Sequence, residues 1–126
     1  MRKFLKFWLP AVLYAILIFI VSSFEWPFTA GLEATGLDKL AHFLEYAIFG
    51  FLMARAVRGS DEKLSRGLVV SIAFAIGALY GITDELHQSV IPGRCAAISD
   101  FFMDALGSLA GAAAFFLLLK NRRMSA

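Results

Sequence analysis

The sequence predicts an all-α membrane protein, a compact bundle of four transmembrane helices with both termini cytoplasmic. Three observations carry this. Hydrophobic residues make up 60% of the chain and mean hydropathy is +0.73, while charged residues make up 17%, too few to cover the surface of a soluble domain. The apolar residues gather in four runs, each near the length of ~20 residues that crosses a bilayer core. Basic residues collect at alternate ends of those runs. With 126 residues there is room for one domain, 1–126.

The first helix is expected over about 7–24, FWLPAVLYAILIFIVSSF, with Pro10 in its first turn, where a missing N–H is tolerated. Arg2, Lys3 and Lys6 precede it as they would in a signal peptide. No small-x-small cleavage site follows and three more spans do, so the run reads as a permanent helix. A second helix is expected over about 40–57, LAHFLEYAIFGFLMARAV, interrupted by His42 and Glu45. The third, about 68–89, opens on LVVSIAFAIGAL and ends in a polar stretch. The fourth, about 98–119, contains FFMDALGSLAGAAAFFLLL. Trp8, Tyr14 and Trp26 read as interfacial anchors or packing residues.

Orientation follows from the basic residues. Arg2, Lys3 and Lys6 precede the first helix; Arg55, Arg58, Lys63 and Arg66 surround the second connection; Lys120, Arg122 and Arg123 follow the fourth helix. The other connections hold only Lys39 and Arg94, so the positive-inside rule makes both termini and the middle loop cytoplasmic. The acids complement this. Asp61 and Glu62 alone lie inside, whereas Glu25, Glu33, Asp38, Glu45, Asp84, Glu85, Asp100 and Asp104 fall at the outer end.

Depth and facing bring these groups together. At a rise of about 1.5 Å per residue, His42 and Glu45 lie roughly 6 and 10 Å along the second helix from Asp38. Asp84 to His87 reach a comparable depth on the third helix, and Asp104 sits about one turn below Asp100 on the fourth. Asp38, His42, Glu45 and Phe49 share one side of the second helix. Gly77, Gly81, Asp84, Glu85 and Gln88 share a side of the third, with Tyr80 and His87 at its edge; Asp100, Asp104, Gly107 and Gly111 share a side of the fourth. Small residues at that spacing let membrane helices approach closely. The expectation is a partly buried polar pocket open to the outside.

Many carboxylates near few fixed cations cannot all stay ionised at low dielectric. Protonation, charged histidines, a metal or a ligand must balance them. His42, Asp84 and Glu85 are the candidate acid–base residues. Pro92-Gly93 suits a turn that returns Arg94 over the cluster, where it would pair with an acid or hold a phosphate. Blander readings stand beside these: His42/Glu45 as an interhelical lock, Asp84 to Gln88 as a helix end in headgroup water, and Asp100 as a complement to a helix N-terminus.

Three ordered motifs resemble those of the VanZ-like membrane proteins: DKLAHFLEYAIFGFL from Asp38, YGITDELHQSVIPGR from Tyr80, and the spaced Asp100 and Asp104 before GSLAG. The likeness covers the last three helices. It places the family's characteristic polar positions on Asp38, Lys39, His42, Tyr46, Tyr80, Asp84, Glu85, Gln88, Pro92, Gly93, Arg94 and Asp100. Asp104 departs from the asparagine that family members often carry there. The resemblance implies a multi-pass protein of the bacterial cytoplasmic (inner) membrane with a cell-envelope role, similar to a protein linked to teicoplanin resistance.

Two function classes remain open. One is a protein that binds or modulates an amphiphile, such as a lipid-linked wall precursor, a phospholipid or a lipoglycopeptide. The pocket would then be lined by Asp38, Lys39, His42, Glu45, Tyr46, Tyr80, Asp84, Glu85, His87, Gln88, Arg94, Asp100 and Asp104. The other is a small intramembrane hydrolase or transferase acting on a lipid headgroup. The single cysteine, Cys95, excludes an intramolecular disulfide and a cysteine-based zinc framework. No phosphate-binding glycine loop, nucleophile elbow or HExxH helix is present, and nothing points to nucleic acid. No cofactor is expected beyond a divalent metal that the histidines and acids could hold.

Overall fold

Four helices follow one another along the chain: α1 Arg2–Ser22, α2 Leu37–Ser60, α3 Arg66–Gln88 and α4 Ile98–Met124. The structure, a computed structural model, describes residues 1–24, 35–94 and 96–124, without the side chains of 121–124. Glu25, Trp26, Glu33, Cys95 and the side chains of Arg122 and Arg123 therefore lie outside the described residues. There are no strands among those described, and all four helices are long and apolar enough to cross a membrane.

Helical bonding does not stop where hydrocarbon does, so α1, α2 and α3 start before the apolar runs and α4 extends past its run. The early start of α1 corrects one expectation. Pro10 lies inside the helix rather than in its first turn, because Arg2, Lys3 and Lys6 already belong to it. Arginine and lysine favour helix, and the missing N–H at Pro10 leaves the Lys6 carbonyl without its usual partner.

Every helix carries a face of exposed large apolar side chains. On α2 these are Leu40, Leu44 and Ile48, spaced by four residues, while Tyr46, Phe49, Gly50, Met53, Ala54 and Val57 are buried behind them. Such a surface suits acyl chains and would be costly in water.

α2 is the centre of the bundle. It contacts all three other helices, most extensively α4, whereas α1 and α4 do not meet among the described residues. Missing side chains make the α2–α4 contact close. A Cβ at Gly107 would collide with the Phe43 carbonyl, one at Gly111 with the Ala47 carbonyl, and one at Gly50 with the Ser108 backbone. Gly77 of α3 leaves room for the Ser108 side chain of α4, and Gly81 sits close against the Asp104 side chain, where a Cβ would be tight. Gly59 seats the ring of Phe7 from α1.

Polar bonds complete the assembly. Trp8 Nε1 donates to Ser60 Oγ at 2.6 Å, and Tyr80 Oη donates to the Ala15 carbonyl at 2.7 Å, tying α1 to α2 and α3. The α2–α3 connection is set by Arg58, which donates to the Leu64 carbonyl, and by Ser65, whose Oγ accepts from Leu68 N–H at 3.2 Å as an N-cap.

The glycine contacts give a direct stability test. Gly111→Val should destabilise the protein by about 1–3 kcal/mol, because the added methyls meet backbone that cannot yield locally. Gly67→Ala, with nothing within 4 Å of the added carbon, should be neutral or slightly stabilising. Thermal unfolding in detergent micelles, read against wild type, checks both.

Candidate functional site

The polar site forms where the N-terminal turns of α2 and α4 meet the C-terminal turn of α3. α2 starts after Gly36, whose φ of 73° suits a residue without Cβ. Asp38 and Lys39 occupy its first turn and His42 the next. Lys39 Nζ donates to Asp38 Oδ2 at 3.2 Å and, across to α4, to Asp100 Oδ1 at 3.0 Å.

One turn deeper, His42 Nδ1 lies 2.9 Å from Asp104 Oδ1. The His42 side chain is 13% exposed and that of Asp104 is fully buried. Gly81 of α3 leaves the space that Asp104 fills. With Asp104 as the acceptor of an Nδ1–H bond, the neutral form of His42 carries its lone pair on Nε2.

α3 contributes Glu85. Its Oε2 accepts the Ala97 N–H at 2.9 Å, just before α4 begins. Donor atoms of His42, Glu85 and Asp100, one from each of three helices, all lie within 4.8 Å of one another. Imidazole and carboxylate are also the donor types a divalent metal uses.

Pro92 and Gly93 form the turn that closes this end. The Arg94 N–H donates to the Ile91 carbonyl at 3.1 Å and Gly93 has φ 78°, the pattern of a type II turn with proline and glycine at its two central positions. The turn returns Arg94 into electrostatic range of Glu45 on α2. Among the described residues no acid is within ion-pair distance of Arg94, and its Nε is buried without a partner.

Other residues singled out from the sequence are engaged elsewhere. Asp84 Oδ2 accepts from Gln88 Nε2 at 2.9 Å, and that amide also reaches Ser22 Oγ of α1 at 3.4 Å. His87 turns to α1 as well, stacked on Phe19 with centroids 4.6 Å apart and its Nε2 2.9 Å from Ser23 Oγ. Tyr80 spends its hydroxyl on Ala15. Tyr46 is fully buried between Phe49 and Tyr80, its hydroxyl unpartnered. Glu45 is half-buried, within electrostatic range of His42, Asp84 and Asp104.

The polar residues thus divide. Asp38, Lys39, His42, Glu85, Asp100 and Asp104 meet between α2, α3 and α4, whereas His87 and Gln88 face α1, and Asp84 is bonded to Gln88 while staying in electrostatic range of Glu45 and Asp104. Sequence reasoning missed the receiving side of that second group, Ser22 and Ser23, although two serines ending an apolar run were a visible signal. The backbone N–H of Ala97 and the buried hydroxyl of Ser108 carried no such mark.

This is a helical, multi-pass membrane protein with a polar site at one end of its bundle. A family model described as VanZ/LLP1 matches residues 7–119, nearly the whole chain, and the protein belongs to that family. No curated protein and no solved structure matches it significantly.

The His42–Asp104 bond should show as coupling. In a double-mutant cycle of His42→Ala and Asp104→Ala, the interaction energy should be about 1.5–3 kcal/mol, the range for a hydrogen bond to a charged group. Chemical or thermal unfolding of the four proteins in micelles measures it, and additive losses would remove the bond from the account.

Proposed function

We propose that the polar end of the bundle binds the anionic headgroup of an amphiphile at the outer leaflet of the bacterial cytoplasmic membrane. The observation that carries this reading is Arg94. A Pro-Gly turn returns it into electrostatic range of Glu45, its Nε is buried without a partner, and no described acid pairs with it. A buried guanidinium nitrogen without a partner is costly, and a planar phosphate or carboxylate is the group it matches best. The exposed apolar faces of α2 and α4 beside the site suit the tail of the same molecule. Lipid-linked wall precursors and phospholipids both have this form.

The outward orientation rests on the basic residues at the opposite end, Arg55, Arg58, Lys63 and Arg66 among them. With Cys95 replaced by serine, Ser89→Cys should react with a membrane-impermeant maleimide in intact cells. Asp61→Cys should react only after permeabilisation. The reverse pattern would turn the site to the cytoplasm.

A second reading is favoured by the His42–Asp104 pair. A carboxylate that fixes an imidazole ring leaves Nε2 able to take or give a proton at a headgroup ester, next to Glu85. One measurement serves both readings. Native mass spectrometry of the purified protein with phosphatidylglycerol should show a bound lipid whose occupancy falls by roughly tenfold in Arg94→Gln, the loss of about one charge-assisted bond. Equal occupancy in that variant removes the headgroup reading. If the site is also an enzyme, a lipid of altered headgroup mass accumulates with wild type and not with Glu85→Gln.

A further inference from the structure

We propose that His42, Glu85 and Asp100 form a binding site for a divalent transition-metal ion, with Asp104 holding the histidine in place. The site is assembled by tertiary structure alone. Its three donors are 43 and 15 residues apart in sequence, from 42 to 85 and from 85 to 100, yet their atoms converge within 4.8 Å. One imidazole and two carboxylates suit zinc or manganese, and three protein donors leave at least one position for water or a ligand.

Two features beyond the convergence point to a cation. The first is Glu85, which is only 9% exposed. Its Oε2 is held by the Ala97 N–H, so the carboxylate cannot swing away, and its Oε1 is buried with no hydrogen-bond partner. A desolvated carboxylate oxygen without a hydrogen-bond partner is one whose bonding a metal would complete. The second is the bond from His42 Nδ1 to a fully buried Asp104. Metal-binding histidines almost always have their other nitrogen held in this way, which orients the ring and makes the ligating nitrogen more basic.

The surrounding charges agree. Asp38, Glu45, Asp84, Glu85, Asp100 and Asp104 gather at this end against Lys39 and Arg94. Lys39 is already committed to Asp38 and to one oxygen of Asp100. A doubly charged ion offsets two of the remaining carboxylates. It also gives an otherwise acidic pocket a second cation beside Arg94 for an anionic headgroup; that last consequence rests on the amphiphile reading, and the metal site itself does not.

The test is metal stoichiometry on the full chain in detergent micelles, stripped with a chelator, delipidated, and reloaded with Zn²⁺, Mn²⁺ or Co²⁺. Wild type should retain about one ion per chain by elemental analysis, and the Co²⁺ form should show d–d absorption from a histidine–carboxylate site, a readout that needs no variant. His42→Ala and Glu85→Gln should lose the ion; Glu85→Gln keeps an acceptor for Ala97 and is the variant expected to fold normally. Asp104→Asn should weaken binding roughly 10- to 100-fold without abolishing it, as expected of a residue acting through the histidine. Wild type that binds none of the three ions, or a folded His42→Ala or Glu85→Gln that retains one Zn²⁺ per chain, overturns the proposal. Phospholipid counted by native mass spectrometry separates the two readings. One ion per chain in a protein that never retains phospholipid upholds the metal and defeats the headgroup reading. Full phospholipid occupancy in a chain that takes up no ion does the opposite.

Discussion

Hydrocarbon supplies no hydrophobic force between helices, so α2 and α4 must come close enough for backbone contact and polar bonds to hold them. Gly50, Gly107 and Gly111 permit that approach, and everything at the polar end depends on it. With α4 seated against Phe43 and Ala47, Asp104 arrives beside His42 and Asp100 beside Lys39. Gly77 and Gly81 let α3 close on the same side of α4, which brings Glu85 to the start of that helix. A few ångströms of extra separation would dismantle the site while leaving four intact helices.

The opposite helix has a different task. α1 touches α2 and α3 but not α4 among the described residues, and it takes up polar groups that would otherwise meet lipid. Tyr80 donates to its Ala15 carbonyl, His87 stacks on its Phe19, and the Asp84–Gln88 pair reaches its Ser22. These bonds orient α3, and with it the side that presents Glu85. The VanZ-like polar motif on α3 therefore faces two ways, part of it building a site and part of it fastening a helix.

Unpartnered buried polar atoms run from the polar end into the middle of the bundle. Buried atoms of Asp38, Tyr46, Glu85, Arg94, Asp104 and Ser108 have no hydrogen-bond partner. Native interiors hold few such atoms, and four of these six residues, Asp38, Glu85, Arg94 and Asp104, are ones the sequence had marked as polar groups in an apolar setting. Those four belong to the polar end, whereas Ser108 packs deeper against Gly50 and Gly77 and Tyr46 between Phe49 and Tyr80. The proposed cation and the proposed anionic headgroup would answer opposite parts of that pattern.

The sequence alone determined the number and type of elements, because a helix that crosses hydrocarbon must advertise itself as a long apolar run. It also determined which residues were out of place in such a setting, and from glycine spacing which helix sides would meet. Even the Pro92-Gly93 turn was legible, since its φ values are local requirements. Helix ends were less so: Pro10 lies inside α1 because basic residues continue the helix beyond the apolar run. Tertiary structure alone decided the partners. Nothing local distinguishes His42, which faces Asp104, from His87, which faces Phe19 and Ser23, because the choice depends on which helix packs beside each one. Glu85 and Asp84 are adjacent in the chain yet point to different neighbours, because at 100° per residue one step around a helix is enough to change them.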